Sequence, residues 1–186
     1  AALIKAFRLI AIDPRSLTPE PLQLHPLLQQ LKQQVNAQLQ QQQVQLSVDC
    51  DTQLQISSYP NIWKQLFSQL IDNSLRHGFI GPPAADRDRE IRITIERRAE
   101  QLQISYIDNG QGIPEQILPR IFEPFVASES EHGGSGLGAH VIYRLVTQLL
   151  HGSIHCESRR GQGAEFSLQI PLDLAPQEDS DGSELW

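Results

Sequence analysis

The most informative stretch of this sequence is DNGQGI, which occupies residues 108–113. It follows an alternating apolar segment that ends at Tyr106, so Asp108 stands where a strand leaves its sheet and its carboxylate can point into a pocket. A carboxylate there can accept a hydrogen bond from an exocyclic amine. On its own, Asp-Asn-Gly more often marks an ordinary turn. Gly112 and Ile113 favour a binding role, because glycine lets the backbone approach a flat ring and isoleucine supplies an apolar wall.

Apolar residues recur at helical spacing in four segments of the chain. The first, residues 1–12, ends at an Asp-Pro pair and is expected to be the tail of a helix that begins upstream. The second, residues 24–39, is rich in glutamine and predicts an amphipathic helix with a solvated glutamine face. The others are residues 61–77 and 141–150, and Gly152 is expected to end the last helix.

Alternation of apolar and polar residues predicts the strands, and a proline-containing connector is expected before them, through Pro21. Strands are predicted at residues 44–48, 54–56, 91–95, 102–106, 154–156 and 166–170, the last four as two antiparallel hairpins. About thirty residues separate Asp108 from Gly138, which is long for a connection in a compact domain and favours a functional lid.

Three further signals stand in a fixed order around DNGQGI. Asn73 lies near the end of the helix predicted over residues 61–77, FEPF occupies residues 122–125, and GGSGLG occupies residues 133–138 directly before the last helix. Each signal is weak alone. Together with DNGQGI they resemble the N box, F box and two glycine boxes of the GHKL superfamily, which includes gyrase, heat-shock chaperone ATPases, histidine kinases and MutL. The resemblance covers residues 22–171, and the phrases IFEPF and GLG look specifically like histidine kinases.

This resemblance implies an α+β fold. Helices pack on one face of a mixed, mostly antiparallel sheet in a two-layer α/β sandwich with an ATP lid, the Bergerat fold. It also implies the ATP-binding catalytic domain of a two-component sensor histidine kinase, with ATP and Mg²⁺ as cofactors. Such a domain transfers the γ-phosphoryl group of ATP to a histidine on a separate dimerisation domain, mainly by positioning and charge neutralisation.

The resemblance further assigns candidate site residues. Asp108 reads adenine, and Asn73 coordinates the magnesium ion, with a second contact from Gln69 left open. Arg76 takes the place of a basic residue that reaches phosphate, and His77 takes that of a nearby polar ring, so Asn73 and Arg76 are the candidate catalytic residues. The other nucleotide-binding candidates are Gly110, Gly112, Ile113, Phe125, Gly134, Ser135, Gly136, Leu137 and Gly138.

Elementary chemistry is consistent with several of these roles. Asn73 shares a helix face with Leu66 and Leu70, so its amide oxygen emerges at the end of a core-facing stripe, where a neutral oxygen suits hydrated magnesium. Outside this context, Arg76 is better explained as a solvated cation that complements the helix dipole. The glycine run at residues 133–138 offers backbone N–H groups before a helix, which suits phosphates, although such a run alone is more often only a flexible loop.

The sequence departs from the superfamily pattern at several positions. Gln69 stands where hydrolysing relatives carry a glutamate general base, and an amide cannot accept a proton from water, so ATP hydrolysis is expected to be slow. Residues 127–132, ASESEH, place two carboxylates in the lid, which is unfavourable beside a triphosphate unless they face away. Ala164 replaces a threonine near the adenine end. Phe122 and Phe125 are expected to pack on the core and anchor the base of the lid.

Composition excludes several classes of function. A net charge of -7 and a pI of about 5.3 argue against nucleic-acid binding. No apolar run approaches the ~20 residues that a bilayer span needs. Cys50 and Cys156 lack metal-like spacing and are expected to be reduced, buried thiols of a cytoplasmic protein or of the cytoplasmic part of a membrane-bound sensor. The absence of methionine suggests a piece of a longer polypeptide.

Three regions are expected: residues 1–13 as the end of a dimerisation helix, 14–172 as the catalytic domain, and 173–186 as an acidic disordered tail. None of the six histidines has the setting of a phospho-acceptor, so that histidine is expected on the dimerisation domain of a homodimeric parent, with a response regulator downstream. Two alternatives stay open. One is a degenerate nucleotide-binding module that only regulates a partner, and the other is a gyrase-like or chaperone ATPase, which Gln69 disfavours.

Overall fold

The computed structural model describes residues 17–81, 87–126 and 136–172. Its strands are β1 (Glu20–Gln23), β2 (Val44–Cys50), β3 (Gln55–Ser58), β4 (Arg89–Arg98), β5 (Gln101–Asp108), β6 (Ser153–Arg159) and β7 (Gly163–Pro171). Five of them form one sheet in the order β2-β4-β5-β7-β6, in which β2 runs parallel to β4 and every other pair is antiparallel. Strands β1 and β3 form a separate antiparallel pair. The predicted mixed, mostly antiparallel sheet is thereby confirmed.

In the described part of the chain, three helices accompany the sheet, and two of them are extended by a wider turn. They are α1 (Leu24–Gln41), α2 (Pro60–Asn73) continued by a π-helical turn (Ser74–Gly78), and α3 (Gly138–Arg144) continued by another (Leu145–Leu149). A single 3₁₀ turn, Leu118–Arg120, interrupts the described part of the long segment between β5 and α3. The predicted α+β architecture is therefore also confirmed.

One face of the sheet is buried and the other is polar. In the central strand β5, Leu102, Ile104 and Tyr106 are buried, whereas the intervening Gln103 is exposed. Because side chains alternate between the two faces of a strand, Asp108 occupies the next position in the buried series. Its carboxylate therefore points to the same side as the apolar core.

The structure differs from the sequence-based expectation at three places. The connector predicted through Pro21 contains β1, a four-residue strand too short to show an alternation, which is held by pairing with β3. The helix predicted to reach His77 widens into the π-helical turn after Asn73, and the Phe79 N–H donates to the Ser74 carbonyl at 3.0 Å. The helix predicted to end at Gly152 already ends at Leu149, and His151, not Gly152, takes the left-handed conformation, with φ of 52°.

Two predictions about the wider chain have different outcomes. Residues 1–13 and 173–186, predicted to be a helix end and a tail, lie outside the described residues. Cys50 and Cys156 are free, buried thiols as predicted. Burial raises the pKa of Cys50 to about 11 and that of Cys156 to about 12, so both remain protonated at neutral pH.

Among the helices of the described ranges, none is long and apolar enough to span a bilayer.

The end of α1 offers a test of the backbone. Gln43 follows the helix with φ of 55°, a left-handed conformation that costs a residue with a side chain more than it costs glycine. We expect Gln43→Gly to raise the free energy of unfolding by about 0.5–1 kcal/mol, measured by urea denaturation. Gln41→Gly, within the helix, is the control and should lower it by a similar amount. Equal losses of unfolding free energy in both variants would contradict the left-handed conformation of Gln43.

Candidate functional site

Asp108 lies at the end of the central strand and is only 4% exposed. The Ser74 hydroxyl donates to its Oδ2 at 2.7 Å, and the Gly110 N–H donates to its Oδ1 at 2.9 Å. Burial raises the pKa of the Asp108 carboxyl, while the Ser74 hydroxyl and the backbone N–H groups of Gly110 and Ala164 act in the opposite direction. The site therefore contains a buried, oriented hydrogen-bond acceptor.

Two glycines bring the backbone close to this carboxylate. A Cβ on Gly78 would lie 3.3 Å from Oδ1 of Asp108, so the absence of a side chain there leaves space beside the acceptor. Gly110 packs against the Gly78 carbonyl group, where no side chain would fit. The Gln111 N–H donates to the same carbonyl at 2.8 Å. The DNGQGI loop and the π-helical turn are thus joined through backbone atoms beside Asp108.

The far side of the DNGQGI loop is fastened to the β6–β7 hairpin. Gly112, with φ of 74°, lies against the Arg159 carbonyl, where a Cβ would overlap the oxygen. The Ile113 N–H donates to Ser158 Oγ at 2.8 Å, and that hydroxyl donates to the Gly163 carbonyl at 2.6 Å. These contacts hold the half-buried Ile113 side chain in place, which is consistent with the predicted apolar wall.

Asn73 lies directly against the first residue of α3. A Cβ on Gly138 would overlap Oδ1 of Asn73, so the side-chain amide and the helix start are in close contact. Within the described ranges the Asn73 amide makes no hydrogen bond, and neither does the amide of Gln69 one turn earlier. The same part of the chain contains no cluster of three His, Cys, Asp or Glu residues suited to a metal ion. A cation at this position would therefore be held by neutral amide oxygens together with oxygens of a ligand.

Arg76 and His77 lie on the π-helical turn in different surroundings. The exposed Arg76 donates from Nε to Oδ1 of Asp72 at 2.8 Å, and an exposed pair of this kind is worth at most about 1 kcal/mol, so the guanidinium can change partners. His77 is half-buried, and its Nδ1 has no partner among the described residues. Burial, with a contribution from the Arg76 charge, lowers the pKa of His77, so its ring is neutral at pH 7.

The two phenylalanines of FEPF have different roles. Phe122 packs as predicted, with its ring centroid 5.4 Å from that of Tyr143 and 6.4 Å from that of Phe166. The prediction that Phe125 also packs on the core is wrong, because its side chain is 66% exposed and its φ is 64°. A Cβ on Gly136 would lie 2.8 Å from the Phe125 backbone. Contact between the two backbones, and not burial of the ring, thus fixes the chain at Phe125.

The predicted glycine-rich segment is described only at its end. Gly134 and Ser135 lie outside the described residues, as do the two lid carboxylates within residues 127–132. Gly136 has φ of 65°, and Leu137 is buried immediately before α3. The described end of this segment therefore meets both Phe125 and Asn73.

Sequence reasoning assigned no site role to Ser74, Gly78 or Ser158. Ser74 had a usable signal, because it directly follows Asn73 on a helix that was already predicted to reach the site. Gly78 had a weaker one, as a glycine at the end of the same helix. Ser158 had none, because its role depends on how β6, β7 and the DNGQGI loop come together in three dimensions.

The arrangement defines a class of protein. A buried carboxylate at the end of the central strand, glycine-mediated backbone contacts beside it, and a free amide against the start of α3 describe a nucleotide pocket on a two-layer α+β domain. The family model described as "Histidine kinase-, DNA gyrase B-, and HSP90-like ATPase" matches residues 59–174. The chain belongs to this family, and within it the chain is an ATP-binding catalytic domain of the histidine kinase type.

Individual relatives agree with this assignment. The signal transduction histidine-protein kinase AfsQ2 of Streptomyces coelicolor is 36% identical over 121 residues, which are 63% of this chain and 21% of AfsQ2. The solved catalytic domain of histidine kinase ThkA has a TM-score of 0.69 at 22% identity and covers 84% of this chain and 97% of its own. ThkA in complex with the response regulator protein TrrA gives 0.65 at 20% identity, covering 86% and 43%. The chain spans 10% to 21% of the length of the first three curated relatives that it matches.

Alanine at position 138 tests the contact between α2 and α3. The new Cβ would overlap Oδ1 of Asn73, the end of a flexible side chain that can change rotamer, so we expect Gly138→Ala to lower the free energy of unfolding by at most about 1 kcal/mol in urea denaturation. Asn73→Ala removes the obstructing amide and should cancel most of that loss in the double variant. Additive losses in the double variant would show that Asn73 does not occupy this space.

Proposed function

We propose that this chain binds ATP with magnesium and transfers the γ-phosphoryl group to a histidine on a dimerisation domain, as part of a sensor histidine kinase. The observation that carries the proposal is the buried carboxylate of Asp108, held by two donors and faced by Gly78. Acceptors buried at the end of a strand are suited to reading a base rather than to binding solvent. Residues 14–172 form the catalytic domain of this proposal, 1–13 the end of a dimerisation helix, and 173–186 an acidic tail.

Adenine fits the residues around Asp108. The carboxylate accepts a hydrogen bond from the exocyclic amine, and the space that Gly78 leaves open admits the edge of a flat ring. Ile113 provides an apolar surface for the ring, since its backbone is fixed by Ser158. Gly110 and Gly112 contribute by allowing close approach of the backbone. Base recognition is thus assigned to the β5 end and the DNGQGI loop.

Magnesium fits the free amides on α2. Asn73, and Gln69 with it, present oxygens that no described residue uses, and neutral oxygens are suitable ligands for a partly hydrated Mg²⁺. When bound with ATP, the ion neutralises part of the triphosphate charge. Asn73 also contacts Gly138, so the same residue links this position to the segment that contains Gly134 and Ser135.

Phosphate binding is assigned to the backbone of the glycine-rich segment and to Arg76. Backbone N–H groups from Gly134 to Gly138 point toward phosphate oxygens in this proposal, with Leu137 as the buried anchor and the exposed Phe125 at the other edge. Arg76 leaves Asp72 and neutralises phosphate charge, while the neutral His77 lines the site.

Transfer of the γ-phosphoryl group requires little chemistry from the side chains of this protein. A nitrogen of the acceptor histidine attacks the γ-phosphorus, the bond to the oxygen that bridges the β- and γ-phosphates breaks, and ADP leaves with that oxygen. The side chains of this chain orient the nucleotide and balance charge. Gln69 cannot remove a proton from water, which favours transfer to a protein over hydrolysis.

The partners and cellular location follow from the same proposal. The acceptor histidine belongs to the dimerisation domain of a homodimeric parent, and a response regulator receives the phosphoryl group next. The solved complex of ThkA with the response regulator protein TrrA supports such a partner, since ThkA is a histidine kinase of the same fold. We infer a cytoplasmic location, alone or as part of a membrane-bound sensor, which the two buried, protonated thiols support.

Asparagine at position 108 tests the adenine assignment. Asp108→Asn replaces an acceptor oxygen with an NH₂ group that faces existing donors, so we expect binding of a non-hydrolysable ATP analogue to weaken at least about tenfold in calorimetry. Asp51→Asn, an exposed change after β2, is the matched control and should bind normally. Normal binding by the Asp108 variant would exclude this residue as the adenine acceptor.

Mixing the chain with its parent dimerisation domain and labelled ATP tests the reaction. We expect acid-labile label on a histidine of the dimerisation domain and slow phosphate release by the chain alone. The alternative of a degenerate binding module is favoured by the acidic sequence at residues 127–132, and it predicts nucleotide binding without label on histidine. Rapid phosphate release by the isolated chain would instead support a gyrase-like or chaperone ATPase.

A further inference from the structure

Behind Asp108, the helix layer and the sheet are joined by a chain of polar contacts. The Tyr106 hydroxyl lies 3.0 Å from the Leu70 carbonyl oxygen and 2.9 Å from Ser74 Oγ. Ser74 Oγ lies 2.7 Å from Oδ2 of Asp108. Tyr106 is 0% exposed and Ser74 is 3% exposed, so the contacts are shielded from bulk solvent. The protons that connect these atoms therefore come from the side chains themselves.

The number of protons determines the direction of the hydrogen bonds. Tyr106 and Ser74 each carry one hydroxyl proton, and an ionised Asp108 only accepts. Ser74 must then donate to Asp108, and its oxygen is free to accept from Tyr106. Tyr106 keeps its proton, because burial raises the pKa of its hydroxyl well above the ordinary value. The Ser74 proton is consequently directed to the carboxylate, while the Tyr106 proton is shared between the Leu70 carbonyl and Ser74 Oγ.

The tyrosine hydroxyl also removes a competing acceptor for Ser74. Leu70 is four residues before Ser74, the spacing at which a helical serine can donate to a backbone carbonyl of its own helix. The Tyr106 hydroxyl donates its one proton in a shared hydrogen bond, to that carbonyl at 3.0 Å and to Ser74 Oγ at 2.9 Å, so the carbonyl is already occupied by a donor. The single proton of Ser74 is therefore committed to Asp108, and Tyr106 acts on the carboxylate through Ser74.

The surrounding backbone and packing restrict motion of this chain of contacts. Ser74 is the first residue of the π-helical turn, so its position is set by the change in helical geometry after α2. The Tyr106 ring packs edge-on against Phe166, with centroids 6.3 Å apart. Because both side chains are buried and bonded, the carboxylate meets Ser74 in one orientation.

We propose that Tyr106 and Ser74 are positioning residues that hold the Asp108 carboxylate and thereby select adenine over a base without an exocyclic amine. The inference rests on the proposed function, since it takes Asp108 as the group that contacts the base. Hypoxanthine carries a carbonyl oxygen where adenine carries the amine, with a ring N–H beside it. A held carboxylate meets only the amine. A released carboxylate can turn to accept from the ring N–H, so selectivity falls.

The experiment measures the dissociation constants of ATP and of inosine triphosphate for the same chain by calorimetry with magnesium. For the unaltered chain we expect preference for ATP. Ser74→Ala should lower this preference about tenfold and Tyr106→Phe about threefold, chiefly by improving the relative binding of inosine triphosphate. The double variant should match Ser74→Ala, because Tyr106 acts only through Ser74. Tyr143→Phe removes an exposed hydroxyl outside this chain of contacts and should leave the preference unchanged.

Each outcome distinguishes the inference from the function on which it rests. If the unaltered chain fails to bind ATP, or Asp108→Asn binds it normally, the proposed function is wrong. If Asp108→Asn loses binding but both hydroxyl variants weaken the two nucleotides equally, the residues have only a structural role and the inference is overturned. Additive effects in the double variant would also overturn it, since they would separate Tyr106 from Ser74. A thermal melt of each variant identifies any that fails to fold, and the remaining single variant then decides.

Discussion

The central strand of the sheet ends on a buried carboxylate, and much of the surrounding structure holds it there. Asp108 takes a position that the alternation of β5 would otherwise give to an apolar residue, so its burial has to be offset by hydrogen bonds. One donor, Ser74, comes from the helix layer, and another, Gly110, comes from the following loop. Because one donor lies on the π-helical turn after α2 and the other on the loop after β5, the carboxylate fixes how this turn packs over the end of the central strand.

The need to bring donors close to the buried Asp108 carboxylate also explains why glycine occurs where the neighbouring backbone segments meet. Gly163, with φ of 88°, lies against the Asp108 carbonyl group, and Gly110 lies against that of Gly78, where a Cβ would overlap backbone atoms in both cases. Backbone overlap cannot be relieved by a change of rotamer. The packing that brings three segments around one carboxylate therefore depends on residues without side chains.

The helices and the alternating strands could be predicted from the sequence, together with the residues whose positions follow from the spacing of apolar side chains. The position of Asp108 on the buried face follows from the alternation that begins at Leu102, and the close contact of Asn73 with the glycine-rich segment agrees with the order of the motifs. Strand β1 and the role of Ser158 could not be predicted, because both depend on contacts distant in sequence. The prediction that Phe125 packs on the core was wrong, because a hydrophobic side chain is buried only where the backbone allows it to turn inward.

The charges around the site determine where binding free energy can come from. The chain has a net charge of -7, and Arg76, the cation on the π-helical turn, is paired with Asp72. A triphosphate has to compete with that carboxylate, so attraction to Arg76 contributes only the difference between two exposed ion pairs, which is small. In the proposed function, phosphate binding then depends mainly on backbone N–H groups of the glycine-rich segment and on a magnesium ion held by Asn73, with a small contribution from Arg76. Under the same proposal, recognition of the base has to supply a larger share of the affinity, which is consistent with the Asp108 carboxylate being buried and accepting hydrogen bonds at both oxygens.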